Sequence, residues 1–112
     1  MTMTNIETLR DYENLIESSI PIVIMFSSDY CQDCFYAEQF MPRLEAIYKD
    51  VKFYRLKRET IPSLAIDLSI FGVPSFLIYQ QSRLLNSWID KQRKSFEEVF
   101  MFIQDTLSKE AI

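Results

Sequence analysis

Cys31 and Cys34 are the only two cysteines of the chain, and Gln32 and Asp33 separate them in the stretch MFSSDYCQDCFYAEQF, residues 25–40. Two thiols at this spacing can cycle between dithiol and disulfide, supply half of a tetrahedral metal site, or serve as small buried side chains. The chain contains no histidine. Imidazole is therefore excluded as general base and as metal ligand, and any proton transfer falls to carboxylates or thiols. A structural zinc site wants four ligands, and two thiols without histidine would have to share the ion with a second chain. No metal is expected.

The elements around the pair decide between the remaining readings. Residues 20–26, IPIVIMF, form an apolar and largely β-branched run, the pattern of a strand buried on both faces, with Pro21 tolerated at its start. From Cys31 to about Lys49 the period changes to that of a helix, with Ala37, Phe40, Leu44 and Ile47 along one face and Pro42 expected to kink it. VKFYRL, 51–56, alternates like a strand, and IPSLAIDLSI, 61–70, is a short helix with Pro62 near its first turn. VPSFLIYQ, 73–80, and RLLNSWI, 83–89, are strands separated by Gln81 and Ser82, which makes them a hairpin. Upstream, Met3–Ile6 read as extended, and Leu9, Tyr12, Leu15 and Ile16 fall at helical spacing. Ser95 and Glu98 have capping-box spacing before Phe96, Val99, Phe100, Ile103 and Leu107.

A helical crossover makes the first two long strands parallel, and the short turn makes the last two antiparallel. The expected architecture is α/β, a central mixed β-sheet with helices on both faces. At 112 residues and 48% hydrophobic, the chain is large enough for one core and too short for two, so residues 1–112 read as a single domain. The formal charge of −4 argues against nucleic acid or an anionic membrane as partner. No apolar run reaches spanning length, and the start MTMTNIETLRDYENL lacks the pattern of a secretory signal. A cytoplasmic location is expected, where a paired cysteine is seldom a structural staple.

At a strand-to-helix junction, Cys31 lies beside the helix N-terminus, whose free N–H groups and dipole favour a thiolate. Cys34 lies one turn inside, within reach and shielded. This arrangement suits exchange: Cys31 is the expected nucleophile and Cys34 the resolving thiol. Two inert core cysteines are the competing account.

The chain resembles the thioredoxin family over nearly its whole length. IVIMFSSDYCQDC, FGVPSFLIY and the helices around them carry the resemblance. It implies a thioredoxin fold and a thiol–disulfide oxidoreductase acting on disulfide-containing client proteins or low-molecular-weight thiols. It implies no cofactor beyond an electron source, which would be a reductase or a small thiol. The Gly72–Ser75 stretch is similar to the family's cis-proline loop. By that resemblance Val73 offers its backbone to an extended substrate, Pro74 is cis, and Tyr30 flanks the groove where the family has tryptophan.

Several positions depart from the family. The inner dipeptide is Gln32-Asp33 in place of Gly-Pro, and Asp33 is expected to disfavour the Cys31 thiolate. The couple is then expected nearer about −270 mV than the family's oxidising end at about −120 mV. Met25 stands where the family has a buried aspartate that assists the second cysteine, and Arg55 stands for a nearby lysine. Asp33 and Glu38, the nearest carboxylates in sequence, are expected to face solvent. The glycine after the last strand is replaced by the polar run Lys91–Ser95. These departures keep a second reading open, a binding or adaptor module with little redox turnover.

Overall fold

The computed structural model describes residues 3–110. Five strands form one mixed sheet in the order β1-β3-β2-β4-β5, with β1 Thr4–Asn5, β2 Ile22–Ser27, β3 Lys52–Lys57, β4 Ser75–Gln80 and β5 Arg83–Trp88. β2 pairs parallel with β3, β3 parallel with the short β1, and β2 antiparallel with β4, as is β4 with β5. All six residues of β2 are buried, which is why its sequence is apolar without alternation. Pro21 precedes the strand and contributes only its carbonyl, which accepts from the Lys52 N–H at 3.1 Å. β4 starts two residues later than its apolar pattern, because Val73 and Pro74 form a separate loop joined by a cis peptide bond.

The helices are α1 Leu9–Leu15, α2 Gln32–Ile47, α3 Pro62–Asp67 and α4 Phe96–Glu110. Met25 lies opposite Arg55 on one side and Phe76 on the other, and Phe76 lies opposite Trp88. Directly opposed residues share a face of the sheet. That face is covered by α2, whose Glu38 binds Arg55, and by α4, whose Phe102 ring packs on Trp88. α1 covers the other face, where the Tyr12 hydroxyl is hydrogen-bonded to that of Tyr79 on β4. The expected layering is found.

α2 continues through Pro42 without interruption and buries Cys34, Ala37, Phe40, Met41 and Leu44. Ile47, expected on this face, is 51% exposed. The buried stripe advances alternately by three and four residues and so arrives at Tyr48, whose ring packs against Phe100 of α4. α3 is shorter than its sequence pattern because it ends in a Schellman motif. The Ile70 N–H reaches the Ala65 carbonyl at 2.8 Å, and the Ser69 N–H reaches that of Ile66 at 3.0 Å. α4 begins with the expected capping box, the Ser95 N–H on Glu98 at 2.9 Å and the Glu98 N–H on Ser95 Oγ at 3.1 Å.

The hairpin turn has an unusual composition. Gln81 and Ser82 have φ of 52° and 64°, the left-handed pair of a type I′ turn, at positions where asparagine and glycine are the favoured residues. Tertiary contacts hold it: the Gln81 N–H donates to the Ser18 carbonyl and the Ser82 N–H to that of Ile16. Replacing Gln81-Ser82 by Asn-Gly is expected to raise stability by about 1 kcal/mol, measured by urea unfolding. An unchanged midpoint would show that these contacts had already removed the conformational cost.

Candidate active site

The chain leaving β2 is anchored before it reaches the cysteines. The Glu59 carboxylate accepts from the Asp29 N–H at 2.9 Å and the Ser28 hydroxyl at 3.3 Å, and Lys57 pairs with Asp29 at 3.2 Å. The Asp29 N–H pulls the Glu59 carboxyl below the usual carboxylate range, despite a smaller opposing effect of burial. Cys31 then serves as the N-cap of α2, its sulfur accepting the Cys34 N–H at 3.0 Å. The two cysteines are joined as a disulfide, with Cα atoms 5.2 Å apart. Cys31 is partly exposed at the surface, whereas Cys34 is 1% exposed.

The proline loop faces the pair across a groove. Cys31 Sγ lies 3.8 Å from the Val73 carbonyl oxygen, and Val73 and Pro74 are buried. A groove of about 370 Å³ runs along the junction, lined among others by Tyr30, Cys31, Gln32, Asp33, Val73 and Lys91. Tyr30 is 95% exposed. The residues singled out in the sequence are thus brought together: Tyr30, Cys31, Gln32, Asp33 and Val73 line one groove, and Pro74 lies behind Val73.

Two expectations about carboxylates require correction. Asp33 is not a free charge beside Cys31, because Arg93 Nε binds it at 2.8 Å while the Arg93 guanidinium lies 4.5 Å from the Tyr36 ring centroid. Glu38 does not face open solvent: its side chain is 20% exposed and pairs with Arg55 at 3.0 Å. Arg55 Nε also donates to the Asn5 side chain at 2.7 Å, tying α2 to β1 across β3. Met25 is fully buried. Among the described residues, no group of three or more His, Cys, Asp or Glu side chains is placed to hold a metal.

The loop after β5 is the feature that sequence reasoning missed. Lys94 is fully buried, its ammonium bound to the Asp90 carboxylate at 2.5 Å and to the Gln92 carbonyl at 2.8 Å, and it lies 5.0 Å from the Trp88 ring centroid. Asp90 also accepts from the Trp88 indole N–H and the Gln92 N–H. Burial pushes the Asp90 carboxyl up, but the Lys94 ammonium and these donors outweigh it and hold the group below its ordinary range.

This loop braces the proline loop. Ser75 Oγ donates to the Gly72 carbonyl at 2.7 Å and accepts the Asp90 N–H at 3.2 Å. Gly72 is the only glycine of the chain. A Cβ there would come within 2.7 Å of the Lys91 nitrogen and 2.8 Å of the Asp90 carbonyl carbon. The close approach therefore rests on Gly72, opposite the polar run Lys91–Ser95 that stands where the family has a glycine after β5. The available signal was the spacing of Asp90 and Lys94, four residues apart with a tryptophan just before.

A C-x-x-C disulfide at a strand-to-helix junction, with one sulfur accessible, the other shielded and a cis-proline loop opposite, defines a thiol–disulfide oxidoreductase. The sequence profile of the Thioredoxin family matches residues 3–104. Thioredoxin-3, mitochondrial, of Saccharomyces cerevisiae is 23% identical over 97 residues, 87% of this chain and 76% of that protein. Its crystal structure in the oxidised form superposes with a TM-score of 0.80 at 22% identity, covering 92% of this chain and 94% of that one. A thioredoxin crystal structure from Trypanosoma brucei brucei gives 0.81 at 15% identity, covering 98% and 91%. At these identities the superpositions establish the fold, and the profile establishes the family. The chain belongs to the thioredoxin family and, with its C-x-x-C pair, is a thiol–disulfide oxidoreductase.

Proposed function

We propose that this chain works as a single-domain disulfide reductase in which Cys31 is the nucleophile and Cys34 the resolving thiol. The Cys31 thiolate attacks a client disulfide, forming a mixed disulfide and expelling one client thiolate. Cys34, once deprotonated, attacks Cys31 Sγ, expels the second client thiolate and closes the Cys31–Cys34 disulfide. Two electrons pass to the client, and a reductase or low-molecular-weight thiol returns them. Val73 and Pro74 position an extended client segment, Tyr30 flanks it, and Gln32 and Asp33 tune the thiols. No bound cofactor is invoked. The observation that carries this reading is the asymmetry of the pair, one sulfur at the groove and one 1% exposed.

Brief alkylation of the reduced protein is expected to label Cys31 alone, read by mass spectrometry. Cys34→Ser is expected to trap client mixed disulfides through Cys31. Preferential labelling of Cys34 would reverse the assignment. The couple is expected nearer about −270 mV than about −120 mV, measured against a glutathione series. A value above roughly −180 mV would instead support an oxidant or isomerase.

The adaptor reading retains one supporting observation: fully buried Met25 cannot accept the Cys34 proton. An adaptor would yield no trapped clients. A cytoplasmic location is proposed for the reductase, where a low thiol potential would maintain the dithiol; microscopy of the tagged full chain tests this. No helix among the described residues is long and apolar enough to cross a membrane.

A further inference from the structure

β5 is an outer strand of the sheet, and between it and α4 runs a groove of about 460 Å³ lined by Trp88, Glu97, Glu98, Met101, Phe102 and Asp105. None of these residues lines the thiol groove. The floor is apolar: the Trp88 and Phe102 ring centroids lie 5.6 Å apart, and Met101 beside them is 52% exposed. Glu98, Met101, Phe102 and Asp105 share one side of α4 through their spacing of three and four residues. Folding gains little from Met101 left in water, and apolar surface rimmed by polar groups is the usual mark of a docking face.

The rim carries mostly one sign of charge. Glu97, Glu98 and Asp105 form no ion pair among the described residues, and Glu98 alone takes a hydrogen bond, from the Ser95 N–H. Glu97 and Glu98 lie in the first turn of α4, where the helix dipole favours a carboxylate; Asp105 lies past the middle of the helix, where it does not. The neighbouring cations are directed elsewhere. Lys94 is buried with Asp90, Arg93 binds Asp33, Arg83 binds Glu110, Arg43 lies over the Phe96 ring, and Lys91 lines the thiol groove. Lys109, one turn beyond Asp105, stands at the end of the helix without pairing to it. Three carboxylates thus face one ammonium around a bare apolar floor.

This charge selects the occupant. A second copy docked by two-fold symmetry would set these carboxylates against themselves. A strand added to β5 would meet the register shift between Ile78 and Tyr79, and Asn86 Oδ1 already takes the Ser87 N–H at 2.9 Å. We propose that this groove docks a basic amphipathic helix of a partner protein, with its apolar side chains on Trp88, Met101 and Phe102 and its Lys or Arg side chains on Glu97, Glu98 and Asp105. The contact recruits the partner away from the thiols and does not depend on the reductase reading.

Trp88 is the only tryptophan of the chain, so its fluorescence reports on the groove directly. The probe is a synthetic amphipathic helical peptide of Leu and Lys, and two control peptides replace Lys by Glu or Leu by Ser. The Leu/Lys peptide is expected to shift Trp88 emission to the blue, with an affinity that falls as salt rises. Met101→Ser and Asp105→Lys, both at exposed side chains, should each raise its Kd about tenfold. Iodoacetamide should alkylate the reduced protein equally fast with and without the peptide. Lack of binding by the Leu/Lys peptide overturns the proposal, as does equal affinity for either control. A Kd unmoved by both substitutions, or thiols protected by the peptide, places the contact elsewhere and overturns it too. So does a dimer that Met101→Ser dissolves, because the occupant would then be a second copy.

Discussion

Asp90→Ala is expected to cost about 3 kcal/mol of stability, roughly a 10 °C fall in melting temperature. The substitution leaves a fully buried Lys94 ammonium with the Gln92 carbonyl as its remaining hydrogen-bond partner. Removing one member of a buried pair is costly because the survivor keeps its desolvation without its partner, typically about 3–5 kcal/mol. Asp90 retains about a third of its side-chain surface in water, which places the effect at the lower end. Asp90→Ala combined with Lys94→Met should recover most of the loss, because no orphaned charge remains. Thermal and urea melts of both variants decide it. A single variant within about 1 kcal/mol of wild type, or a double variant no better than the single, would refute the pairing as the brace of this loop.

The same pair carries a pH dependence. Asp90 is held below its ordinary range in the folded state, so its stabilising contribution is complete above the unfolded value of about 3.9. It is lost as pH falls through the folded value. Glu59, also lowered, acts in the same direction at the loop before Cys31. The stability difference between wild type and Asp90→Ala should therefore shrink as the solution is acidified below about pH 4.

Met25→Asp is expected to speed disulfide reduction at neutral pH by about tenfold, less than the 10²–10⁴ of a well-placed general base. A shielded Cys34 must lose its proton before resolving the mixed disulfide, and a thioether cannot take it. The new carboxylate would lie on the sheet face shared with Arg55, which Met25 opposes in register. Arg55 is already bound to Glu38, so it could compensate the burial only in part. A stability loss of order 1–3 kcal/mol should accompany the gain. Insulin reduction across pH tests the rate: wild type should accelerate as pH rises, and the variant should depend on pH less steeply. Destabilisation without any gain in rate would mean that resolution by Cys34 does not limit turnover.

Much of this protein is legible in its residues because the relevant physics is local or periodic. The unbroken apolar run of β2, the capping box of Ser95 and Glu98, and the change of period at Cys31 specify their elements within a few neighbours. The C-x-x-C pair at that change of period identifies the chemistry. The extents of elements were less legible where the ending is set by backbone rather than by pattern, as with the Schellman end of α3 and the late start of β4 after Pro74. Only the tertiary structure decided which charges are free. Asp33 and Arg93 are distant in sequence, as are Glu38 and Arg55, and nothing in composition joins them. Lys94 reads as a surface residue in sequence, and its burial follows from Trp88 and Asp90 enclosing it. The close approach at Gly72 likewise exists only once the loops after β5 and before β4 meet. Side-chain type limits what a residue can do, but its environment is assembled by chain segments that only folding brings together.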